Sequence, residues 1–242
     1  MAIMARPIFE ELDHRETELG ELILRRRSVL SLGGAEVFEA KLDGEFLMSS
    51  LVNEAEIALA TEALPLVACA ECDVLVGGLG LGYTAKAALD AENVRSVTVI
   101  EYIEGVIDWH RRHLLPLGKP LTEDARCKLV WADFFKTVMS PPDDSAERGG
   151  RYHAILLDID HSPQCLLQPA HAAFYTPEGL TRLADRLHAG GVFSVWSADP
   201  PQEQFLEALR SVFADVRVRE CVFHNPLLGE DDVNYICLAT LG

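Results

Sequence analysis

The sequence predicts an α/β fold: an open, mostly parallel sheet covered by helices on both faces. Three observations carry that prediction. Short apolar runs alternate with helix-length stretches from about residue 73 to residue 213. A glycine-rich turn, V-G-G-L-G-L-G-Y, links the first of these runs to a helix. The last two runs, 216–222 and 233–239, have only the loop around N-P-L-L-G between them. Such a short link predicts an antiparallel hairpin, because a parallel return needs a crossover.

The elements follow in order. The first half-dozen residues read as a loose tail. Between 18 and 48 the texture is that of strands: E-L-I-L-R-R-R is one, and A-E-V-F-E-A-K-L alternates well enough to be a second. Asp43-Gly44 signals a hairpin turn, and E-F-L-M is the returning strand. From 52 to 66 the spacing of Ala55, Ile57, Ala58, Ala60, Leu64 and Leu66 is helical, with Pro65 marking its end. Strands are then expected at 73–76, 97–100, 128–130, 152–157 and 191–196, and helices at 83–91, 103–115, 176–187 and 202–213. Residues 140–150 form a polar Pro/Asp/Gly linker. The expected division is a small antiparallel region over 1–50 and a nucleoside-binding layer over 51–242.

Composition narrows the function classes. The 242 residues carry 38 acidic and 21 basic side chains, a formal net charge of -17. That balance argues against a nucleic-acid backbone or an anionic membrane as partner. It is compatible with a small cationic ligand. Cys69 and Cys72 have C-x-x-C spacing, but no second pair accompanies them, so no metal site is expected. The other four cysteines are dispersed, as buried thiols in a reducing compartment would be. The N-terminus lacks the long apolar region of a secretory signal, and no apolar run reaches membrane-spanning length. The expected location is the cytoplasm.

In a sheet of this kind the ligand lies beyond the carboxyl ends of the strands. The turn after Val76 holds Gly77, Gly78, Gly80 and Gly82. Glycine admits backbone angles closed to other residues and lets a ligand lie against the chain. The turn is not a phosphate loop, since no Lys follows it. Glu101 closes the next strand, S-V-T-V-I-E, where a carboxylate can accept hydrogen bonds from both ribose hydroxyls; capping the following helix is the plain alternative. A dinucleotide would need a second mononucleotide half, for which the remaining chain is too short. A single adenosine is the better match. Asp133, in V-W-A-D-F-F, could accept the exocyclic amine of adenine or simply cap a helix. The stretch L-L-D-I-D-H-S-P ends another strand with Asp158, Asp160 and His161. A second substrate would meet the nucleoside there. A carboxylate could bind an amine or take its proton, and His161 could act as a general base.

Together these residues give the chain a family likeness. It resembles the spermidine/spermine synthases, the polyamine aminopropyltransferases, which share the Rossmann-like fold of class I S-adenosylmethionine-dependent methyltransferases. The lead-in with L-D-G, the turn G-G-L-G-L-G, Glu101, Asp133, the loop D-I-D-H-S-P and F-Y-T-P-E-G-L follow that family's order. The resemblance implies a seven-stranded sheet, a homodimer, the ribose on Glu101 and adenine near Asp133. It also implies a polyamine held by the loop at Asp158. Two departures stand out. Leu79 falls where the family has an Asp that binds the ammonium of decarboxylated S-adenosylmethionine, and His161 falls on the second Asp of the family's D-x-x-D.

Leu79 removes both an attraction for the decarboxylated cofactor and a repulsion of the intact one, each roughly 1–4 kcal/mol in a partly buried site. The exposed N–H groups of the glycine turn can then meet a carboxylate. On that argument the first expectation is methyl transfer from S-adenosylmethionine to a small acceptor, with an amine as one candidate. Asp158, Asp160 and His161 then do the chemistry, and Gly77, Gly78, Leu79, Gly80, Gly82, Glu101, Asp133 and Asp158 line the cofactor. Aminopropyl transfer from decarboxylated S-adenosylmethionine is the alternative, and a silent nucleoside-binding or interaction protein a third.

Overall fold

The computed structural model describes residues 8–142 and 150–242. Strands β1 (Phe9–Thr17), β2 (Gly20–Val29), β3 (Ala35–Leu42) and β4 (Glu45–Ser49) form an antiparallel sheet in that order. Strand β1 is absent from the sequence expectation. Its F-E-E-L-D-H-R-E-T shows no apolar alternation. Its pairing is charged instead: Glu10 and Glu11 lie opposite Arg26 and Arg25, and Arg26 bonds Glu10 at 2.7 Å.

Helix α1 (Glu54–Ala63) follows, and the alternating layer begins. Its strands are β5 (Cys72–Gly77), β6 (Val94–Glu101), β7 (Cys127–Trp131), β8 (Tyr152–Leu157), β9 (Leu187–Ser197), β10 (Asp215–Asn225) and β11 (Glu230–Thr240). Their spatial order is β10-β11-β9-β8-β5-β6-β7, with β11 antiparallel to both neighbours and the rest parallel. The helices are α2 (Tyr83–Asp90), α3 (Glu104–Arg111), α4 (Gly118–Thr122), α5 (Phe134–Met139), α6 (Pro177–Ala184) and α7 (Glu203–Arg210). Helices α4 and α5 have five and six residues, too short for a periodic signal. Most of the expected 140–150 linker lies outside the described residues.

Period-two burial splits the core in two. Val74, Val76, Val99 and Leu156 face α1, α2 and α3, together with Leu59, Ala88 and Trp109. Leu75, Ile155 and Leu157 face the other way, onto Phe134, Phe174 and Phe193. The small sheet docks on α3 through polar contacts. Asp13 accepts from the Trp109 indole at 2.8 Å and from Arg112 at 2.9 Å, while Arg15 reaches Asp108 at 2.7 Å. The six cysteines are unpaired, and Cys165 is exposed, against the expectation of burial. No helix among the described residues is long and apolar enough to cross a membrane.

Candidate active site

The chain runs from β5 outward to β6 and β7, then returns to β8 on the other side of β5. Such a reversal opens a crevice at the carboxyl ends of the two central strands. Gly77 ends β5, Glu101 ends β6, and Asp158 follows β8 directly. The topology therefore brings the glycine turn, Glu101 and Asp158 to one place.

The protein's own packing demands several of these glycines. Gly78 has φ +91°, and a Cβ there would overlap the Asp158 carbonyl oxygen. A Cβ on Gly77 would lie 2.6 Å from the Phe134 ring, and one on Gly82 2.6 Å from Leu121. The glycines that suggested room for a ligand thus also allow β5, β8, α4 and α5 to close on the turn.

Glu101 is buried and points into the turn. One carboxylate oxygen accepts from Leu79 N–H at 2.9 Å and the other from Ile103 N–H at 2.8 Å. Burial pushes its carboxyl above the ordinary range, against the pull of the N–H groups of Ile103, Leu79, Gly80 and Tyr102. Gly78 N–H donates to Ile100 O at 2.9 Å, and Gly82 N–H to Leu79 O at 2.8 Å. The donors of residues 78, 79 and 82 are therefore occupied. His110 braces the turn from α3, its buried Nε2 donating to Gly80 O at 3.0 Å. The Leu79 side chain turns into the core.

Asp158 faces α2 and α1. Its Oδ2 lies 3.2 Å from the Thr84 hydroxyl, which is also 3.1 Å from the Glu56 carbonyl. One hydroxyl proton serves only one of these acceptors at a time. Burial, and then the charge of Glu101, push the Asp158 carboxyl up to about 6, although the Thr84 bond pulls it down. Glu56 is pushed up to about 8 by burial and by the charge of Asp158. Sequence reading missed Glu56, yet a signal was present. Positions 56, 59, 60 and 63 are one helical stripe, and the other three, Leu59, Ala60 and Ala63, are buried. An acid on an apolar stripe marks a carboxylate held away from water.

A carboxyl whose pKa is raised on folding favours its neutral form in the native state. Its stability contribution is full below the unfolded value of 4.5 and is lost as pH rises through about 8. Glu56→Gln mimics the neutral form. It should stabilise the protein at pH 9 by about 2 kcal/mol, or roughly 5 °C in Tm, and have no such effect at pH 5. Thermal melts at the two pH values check this, and an equal shift at both would refute it.

The other expected site residues lie apart from this cluster. Asp160 is buried in the opposite direction. Its Oδ1 accepts from His171 Nδ1 and from Leu167 N–H, both at 2.8 Å, and its Oδ2 from the Tyr175 hydroxyl at 2.9 Å. Those bonds shape the loop after β8 and leave Asp160 no face toward the turn. His161 is exposed, edge-on to Trp196 with ring centroids 5.8 Å apart. Asp133 caps α5, accepting from Lys136 N–H at 3.0 Å and pairing with Lys136 Nζ at 3.2 Å. The capping alternative thus describes its contacts. No group of three metal-ligating side chains is found among the described residues.

Comparison with known proteins follows the same lines. No family model matches the chain. Over 154 residues it is 27% identical to polyamine aminopropyltransferase 2 of Pseudomonas aeruginosa, covering 60% of this chain and 40% of that protein. Over 122 residues it is 25% identical to a polyamine aminopropyltransferase of Pyrobaculum islandicum, covering 50% and 39%. The chain thus spans about two-fifths of the length of these relatives. Among solved structures, a spermidine synthase in complex with the transition-state analogue AdoDATO superposes with a TM-score of 0.73 at 20% identity, covering 96% of this chain and 74% of that one. The spermidine synthase of Thermotoga maritima gives 0.70 at 20% identity, covering 96% and 72%. The chain is similar in sequence to polyamine aminopropyltransferases over part of their length, and its fold is that of the spermidine synthases.

Proposed function

We propose that this protein is an aminopropyltransferase of the spermidine synthase kind, acting on an amine with decarboxylated S-adenosylmethionine as donor. One observation carries the reading. Asp158 and Glu101 flank a turn whose N–H donors at residues 78, 79 and 82 are occupied. Methyl transfer was expected on the premise that those donors were free to hold the carboxylate of intact S-adenosylmethionine. With those three donors taken, the local charge favours an ammonium over a carboxylate. The names of the sequence relatives point the same way.

The donor set fits an adenosyl sulfonium. Each Glu101 oxygen accepts one amide hydrogen bond, from Leu79 N–H or Ile103 N–H, and keeps a second lone pair for a ribose hydroxyl. When bound, the sulfonium supplies the leaving group: a C–N bond forms as C–S breaks, and the electron pair stays on sulfur as a thioether. Asp158 orients the acceptor amine and accepts its proton. Glu56, whose backbone carbonyl lies 3.1 Å from the Thr84 hydroxyl, has a carboxyl pushed up to about 8, and an ammonium bound beside it favours its charged form. Leu79 gives an ammonium no partner, so Asp158 and Glu56 take the role that an acid in the turn has in the family.

The test is to incubate the full chain with decarboxylated S-adenosylmethionine and butane-1,4-diamine, and separately with S-adenosylmethionine and the same amine. Mass spectrometry should detect 5′-methylthioadenosine and the aminopropylated diamine in the first mixture only. Methylated amine without aminopropylated product would overturn the assignment. Binding by calorimetry with no product from either would support the silent reading.

A further inference from the structure

A second cleft lies beside the site, where the turn between β1 and β2 meets the loops after β6 and β7. It encloses about 360 Å³, ample for a small molecule. Trp131, at the end of β7, is 62% exposed in its lining, a large apolar surface to leave in water. Its indole is held in place, since Nε1–H donates to Tyr102 O at 3.0 Å. Tyr102 is also exposed, and its hydroxyl donates to Glu18 Oε2 at 3.2 Å.

The remaining polar lining is lopsided in charge. Glu16, Glu18 and Glu104 border the cleft and are exposed. No Lys or Arg among the described residues lies within ion-pair distance of any of them. Arg15 lines the cleft but is drawn to Asp13 at 2.6 Å and Asp108 at 2.7 Å. An anionic ligand would face three carboxylates with their counter-charge absent. A neutral ligand could use the rings but would leave the carboxylates bare. Two aromatic rings beside carboxylates that have no Lys or Arg partner suit an organic cation, which gains from the ring faces and the charges together.

We propose that this cleft binds an aliphatic ammonium ion against Trp131 and Tyr102, with Glu18 and Glu104 as its counter-charges. The inference does not depend on the transferase reading: one is read from product, the other from the Trp131 side chain.

The experiment follows the Trp131 indole N–H in a ¹H–¹⁵N correlation spectrum of the full chain, identified by its loss in Trp131→Phe. Butane-1,4-diamine should shift it saturably, and butane-1,4-diol at equal concentration should not. The double variant Glu18→Gln/Glu104→Gln changes only exposed carboxylates and should weaken the diamine effect at least fivefold. Asp158→Asn should leave it intact. The proposal is overturned if the diol shifts the resonance as much as the diamine, or if the double variant responds like the wild type. It is also overturned if the effect disappears with Asp158→Asn.

Discussion

Glu101→Ala should lower Tm by about 10 °C, the equivalent of about 3–4 kcal/mol for a chain of this size. The carboxylate accepts from Leu79 N–H at 2.9 Å and from Ile103 N–H at 2.8 Å. Truncation leaves these two donors unpaired, at about 1–3 kcal/mol each, and opens a hole beneath the turn. Part of this is offset, because the burial that raises the Glu101 pKa also penalises its charge. Glu101→Gln should fall between, since its amide oxygen can replace one acceptor while its NH₂ opposes another donor. The same Ala variant should abolish calorimetric binding of 5′-methylthioadenosine. A Tm within 2 °C of wild type would mean that Glu101 does not hold the turn. The case for occupied donors, and with it the preference for a decarboxylated donor, would then fail.

Much of this was legible in the sequence because it follows from local pattern. The run C-D-V-L-V-G followed by glycines and a helix fixes β5, its turn and α2, and the acid that closes the next strand is read directly from S-V-T-V-I-E. The final hairpin was legible from the brevity of its loop. What sequence could not give was direction. Asp158 and Asp160 are two residues apart, and an ideal strand would point both the same way. The chain leaves β8 at Leu157, so the alternation lapses. Asp160 then turns to His171 and Tyr175, partners 11 and 15 positions further on. The turn donors posed the same difficulty. Leu79 N–H is bonded to a side chain 22 residues away, and no local rule announces that the acid proposed for the ribose also holds the turn. Strand β1 and Glu56 were missed for opposite reasons: one lacks apolar residues where an edge strand pairs by charge, the other puts an acid where burial was to be expected.

Asp158→Asn should reduce aminopropyl transfer by about 10²–10³ at pH 7.5, the usual range for loss of a positioned proton acceptor. Asn keeps a carbonyl oxygen for the Thr84 hydroxyl, so the fold should persist and Tm change by no more than about 2 °C. What is lost is the charge and the capacity to take a proton. The pH dependence separates this from damage. Asp158 must be ionised to accept the amine proton, and burial raises its pKa to about 6. In the wild type, kcat should therefore rise with pH through about 6 and level off above it, the limb being set by the acceptor rather than by loss of the fold. In Asp158→Asn the residual rate should lack that limb, and KM for the amine should rise because an ionic contact has become a neutral one. Retention of the limb in the variant would assign the titration to another group. A rate within threefold of wild type would remove Asp158 from the chemistry altogether, leaving the crevice between β5 and β8 as a place where an amine is held but not deprotonated.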